Sequence, residues 1–151
     1  VDNIVLAAPE RLQPLGESLQ RALLHGDRAA VASICQQLAD GITGQLAIPA
    51  VRIIVLTVRP HDADGELHGL YEPGGRHRKA RISVWMRTAK QRRVVAFRTF
   101  LRTVLHELCH HLDYEYLKLA DSFHTEGFYR RESGLFRQIV RVAEQYELAL
   151  V

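Results

Sequence analysis

Residues 106–110 read His-Glu-Leu-Cys-His, two histidines four apart with a glutamate after the first. On an α-helix, residues four apart differ by about 40° around the axis and about 6 Å along it. Two imidazoles so placed can hold one divalent ion, each nitrogen at about 2.0–2.1 Å. Glu107 is turned about 100° from His106. It can therefore miss the ion and reach a water beside it, which is the position of a general base for hydrolysis of a carbonyl compound.

A catalytic zinc is usually held by three protein ligands with one position open. His124, fourteen residues beyond His110 and just before the final helical stretch, is the preferred third ligand. Glu126, Glu132 and Asp113 compete for that place. Asp113 lies three residues past His110 and could instead orient a ligand from behind the metal. His111, turned away from His110, is expected at the core edge or behind the ligands. His25, His61, His68 and His77 are expected to be exposed in loops or turns. An oxyanion donor must come from elsewhere, and Tyr114, Tyr129, Arg130 and Arg131 are the candidates by proximity in sequence.

The elements that must position these groups can be read from periodicity. Phe97, Phe100, Leu101, Val104, Leu105, Leu108 and Leu112 form an apolar stripe over a helix from about 94 to 117. His106 and His110 lie off that stripe, on a face with Thr99, Thr103 and Asp113. A last helix spans about 126–148. Upstream, about 9–44 is helical: Pro9 opens the first helix, and Asp27 caps a second carrying Val31, Ile34, Cys35 and Leu38. The β-branched run Val51–Val58 is a buried strand. Leu67–Tyr71 and Ala80–Met86 are two more, pairing as a hairpin across a long basic loop. The order gives an α+β fold: a short, three-stranded, mainly antiparallel sheet packed on the HExxH helix and its flanking helices.

The 151 residues fit a single domain, and 47% hydrophobic content supplies a core. No apolar run is long enough to span a membrane, and the first residues carry no secretory leader, so a cytoplasmic protein is expected. Two cysteines, Cys35 and Cys109, are expected as buried free thiols. The net charge is only +3, but between Pro73 and His106 there is no acidic residue, and half of the twenty Lys and Arg lie there. Arg76, Arg78, Lys79, Arg92 and Arg93 are the candidates for contact with phosphates or with an acidic substrate. A solvated basic surface is the plainer expectation.

The segments His106–Leu112 and Ser122–Phe128 resemble the SprT-like and related minimal zincin metallopeptidases, and so does the strand pair before the helix. The resemblance covers about 51–136. It implies a zincin-like domain binding one Zn2+ through His106, His110 and His124, with Glu107 catalytic and a peptide or protein as substrate. It also implies association with DNA, and a sheet edge at Ala80–Met86 beside the cleft. The segment after His124, Thr125-Glu126-Gly127, departs from the usual pattern of that family. The alternative is a non-catalytic nucleic-acid-binding or interaction domain that uses the basic stretch 76–102.

Overall fold

The computed structural model describes residues 3–149, and side chains of residues 3–140. A 3-10 turn at Pro9–Arg11 leads into α1 (Gln13–Leu24) and α2 (Arg28–Gln45). The first helix opens later than Pro9 suggests, with Pro14 in its first turn, where the missing N–H costs nothing. Asp27 caps α2 as expected, its carboxylate accepting from the Ala30 N–H at 3.1 Å. Val31, Cys35, Leu38, Ala39 and Ile42 then form the buried face of α2.

Five strands follow: β1 (Val51–Val58), β2 (His61–Asp62), β3 (Gly65–Glu66), β4 (Gly69–Glu72) and β5 (Ala80–Arg87). The chain closes with α3 (Phe97–Glu115) and α4 (Glu126–Ala149). β2 and β3 form a two-stranded ribbon. The main sheet has order β1-β5-β4, so the α+β architecture with three strands against the HExxH helix holds.

The pairing differs from the expected antiparallel majority. β4 and β5 make the expected antiparallel hairpin, with Gly69 opposite Val84 and Tyr71 opposite Ile82. β1 and β5, however, run parallel from Val51/Ala80 to Val58/Arg87. The chain leaving β1 crosses one strand position before laying down β4, and β5 fills the gap. β5 is therefore central, and β4, not Ala80–Met86, is the sheet edge that packs beside α3. Its central place also explains why the polar Ser83 is buried.

α3 divides as its periodicity requires. Phe100, Leu101, Val104, Leu105, Leu108, Cys109 and Leu112 are buried in the common core with Ile82, Val84, Phe128, Leu135 and Phe136. Its other face carries Thr99, Arg102, Thr103, His106 and His110 towards a cleft. Cys35 and Cys109 are free, buried thiols, as the composition suggested. Among the described residues no helix is long and apolar enough to cross a membrane.

Candidate metal centre

α3 presents His106 and His110 one turn apart, and the loop between α3 and α4 carries His124 back over them. The Nε2 atom of His124 lies 3.1 Å from Nε2 of His106 and 3.1 Å from Nε2 of His110. The three ligand atoms form one group that could hold a metal ion.

The other ring nitrogens are already engaged. His106 Nδ1–H donates to Glu132 Oε1 at 2.7 Å. Ser122 Oγ donates to Asp113 Oδ2 at 2.6 Å, so its oxygen accepts from His110 Nδ1–H at 2.7 Å. Asp113 in turn accepts from Arg131 at 3.1 Å, a pair buried in the core. Both helix histidines are thereby fixed as the tautomer whose Nε2 lone pair faces His124.

That arrangement fits zinc. Two lone pairs aimed at a third ring nitrogen repel, and a single proton on His124 can satisfy only one of them. A cation shared by all three removes the conflict. Tetrahedral nitrogens at the usual zinc distance sit about 3.3 Å from each other, close to the spacing found here. Each helix imidazole also has behind it the oxygen partner that metal-bound imidazoles commonly require.

The titration behaviour follows the same contacts. The Glu132 hydrogen bond raises the pKa of His106, against its burial. Burial, then the neighbouring His106 and His124, lowers that of His110 to about 4. Glu107 is almost buried in the same cleft, and desolvation lifts its pKa above the ordinary carboxylate range although His106 opposes it. A carboxylate made more basic in this way is a stronger proton acceptor at neutral pH.

The cleft has a volume of about 550 Å³ and is bounded by His68 and Gly69 on one side and by α3 on the other. Gly69 lets β4 approach closely. A Cβ there would stand 2.9 Å from Glu107 Cγ and 2.9 Å from Thr103 Cγ2. Tyr71, two residues on, stacks against His110 with ring centroids 6.3 Å apart. Its hydroxyl donates to His111 Nδ1 at 2.9 Å, while His111 Nε2–H donates to the Pro49 carbonyl at 2.8 Å. His111 is thus a buried tie between helix and sheet.

The remaining candidates are distributed unevenly. Glu132 reaches the site, but behind His106 rather than beside His124. Glu126 is exposed and pairs with Arg130. Of the four oxyanion candidates only Tyr129 lines the cleft: Arg130 does not, Arg131 is buried on Asp113, and Tyr114 stacks on Tyr71. Arg76, Arg78 and Lys79 line a separate cavity of about 510 Å³ with His77 and Glu115. Arg92 and Arg93 lie outside it, in the connection from β5 to α3.

Sequence reasoning missed Ser122, Tyr71, Gly69, Arg102 and the place of His68 in the cleft wall. Arg102 and Thr103 were legible from helical phase, being four and three residues before His106. Nothing in the spacing signals the others, which arrive from β4 and two loops. Comparison with protein-family profiles, with curated proteins and with solved structures found no match.

Proposed function

We propose that this chain is a zinc-dependent metallopeptidase of the minimal HExxH zincin type, resembling the SprT-like enzymes, which acts on peptides or proteins in the cytoplasm. The observation that carries the reading is the convergence of three imidazole Nε2 atoms with Glu107 in the same cleft. A structural zinc is normally enclosed by four protein ligands, whereas a three-ligand set beside a concave, open space is the catalytic pattern.

His106, His110 and His124 would hold the zinc. When bound, zinc there supplies Lewis acidity that polarises a carbonyl and acidifies water. Glu107 accepts the proton from the attacking water and returns it to the leaving amine, a role its raised pKa suits. Glu132 and the Ser122–Asp113 pair keep the two helix imidazoles in register throughout. Tyr129 lines the cleft with its ring centroid 5.9 Å from that of His124, and its hydroxyl would serve as a donor to the developing oxyanion. Among the described residues the outer edge of β4 has no strand partner, and an extended substrate would add to it by main-chain hydrogen bonds.

The test separates metal from chemistry. Purified protein is expected to hold one zinc, lost in His106→Ala/His110→Ala, while Glu107→Gln keeps zinc and loses turnover of a peptide library. Protein with no stoichiometric zinc would end the proposal. The second reading is non-catalytic DNA association through Arg76, Arg78 and Lys79 around their own cavity. It requires salt-sensitive binding that is indifferent to Glu107→Gln.

A further inference from the structure

Arg102 lies one helical turn before His106, on the wall of the metal cleft. Its guanidinium carbon sits 4.3 Å from the centroid of Phe136, a buried ring that holds the group in place by cation–π contact. Its one acidic neighbour among the described residues is Glu132, at 3.7 Å, beyond hydrogen-bonding distance. Glu132 spends its other oxygen on His106. Arg102 thus borders the cleft with no acceptor hydrogen-bonded to its N–H donors among the described residues. Thr99 and Thr103 flank it on the same helix face and line the same cleft.

Resting on the peptidase reading, we propose that Arg102 is a specificity-determining residue that selects substrates bearing a carboxylate within two residues of the cleaved bond. The distance follows from the helix. Four residues of α3 advance about 6 Å, and an extended peptide advances about 3.3–3.6 Å per residue. A carbonyl held near His106 thus places a group one or two residues away over Arg102. A planar guanidinium matches a carboxylate with two parallel hydrogen bonds, and a hydroxyl at Thr99 is placed to add a third. The carboxylate can be an Asp or Glu side chain, or the free C-terminus of a short peptide.

Two readouts test this. The first is binding of fluorescein-labelled peptides to zinc-loaded Glu107→Gln protein by anisotropy. Matched peptides carry Glu or Gln near the centre, and a free or amidated C-terminus. Carboxylate peptides are expected to bind about tenfold more tightly, the modest size set by the half-exposed guanidinium. Adding Arg102→Gln should erase the difference, and Arg102→Glu should reverse it in favour of Lys peptides. The Gln and amide arms separate a side-chain carboxylate from a terminal one.

The second readout is the cleavage profile of the active protein on a mixed peptide library. Acidic residues are expected within two positions of the cut, and the enrichment should disappear in Arg102→Gln. Equal affinity for charged and neutral peptides, or a cleavage profile without acidic enrichment, overturns the proposal. No cleavage by the zinc-loaded protein, with carboxylate-selective binding intact, overturns the peptidase reading instead and leaves an anion-binding cleft.

Discussion

The carboxylate behind His106 offers a direct measure of how the centre is built. Glu132 is nearly buried, and its Oε1 accepts from His106 Nδ1–H at 2.7 Å. In Glu132→Gln the amide oxygen can still accept that proton, so ring orientation survives and the negative charge is lost. The difference between a charge-assisted and a neutral hydrogen bond is about 1–1.5 kcal/mol, which corresponds to roughly tenfold in zinc affinity. Glu132→Ala removes orientation as well and should approach a hundredfold. The assay is zinc competition against a chromophoric chelator at pH 7.5. Glu126→Gln is the control, since Glu126 is 79% exposed and faces Arg130. Wild-type affinity in Glu132→Ala would refute the account. So would complete loss of zinc in Glu132→Gln, because that would make Glu132 a ligand.

Three further outcomes are expected. Gly69→Ala puts a methyl group 2.9 Å from two side-chain carbons where about 3.5–4.0 Å is comfortable; it should cost about 1–3 kcal/mol in urea unfolding and cut turnover about 10–100-fold by displacing Glu107, with zinc content retained. Asp113→Ala strips a buried carboxylate from Arg131 and from the Ser122 hydroxyl; equilibrium unfolding should show a loss of about 3–5 kcal/mol. Neither cysteine should react with a disulfide reagent at pH 8 until the protein unfolds, since burial pushes the Cys35 thiol from 9.0 up to about 12 and raises Cys109 as well. The sign follows: a thiol kept protonated by the fold stabilises it below pH 9, and that contribution falls as pH climbs towards 12. Urea midpoints measured across that range should decline.

The centre of the site and much of the fold are set by residues close together in sequence. His106, Glu107 and His110 occupy one helix, so their relative phase follows from 3.6 residues per turn once the Phe100–Leu112 stripe says which face is buried. The α2 cap at Asp27 and the β4–β5 hairpin are local in the same sense, and both were legible. His124 was also legible, as a histidine a short loop away, although Glu132 and Glu126 could not be separated from it by spacing alone. Their separation depends on how α4 packs against α3, which puts Glu132 behind the His106 ring and turns Glu126 to solvent.

The strand order was beyond local reading. Hydrophobic alternation marks a strand but carries no record of its neighbour, so β5 could be taken for an edge when β1 in fact pairs along its whole length. For the same reason the cleft wall belongs to β4, and Gly69, Tyr71 and His68 acquire their places only through that topology. Asp113 lies on the polar side of a helical wheel, yet it is buried because Arg131 and Ser122 arrive from distant segments to satisfy it. Local spacing fixes phase along one element. Which side chains meet across elements is decided by the packing that buries the shared core, and there the carboxylates, the serine and the arginine find their partners.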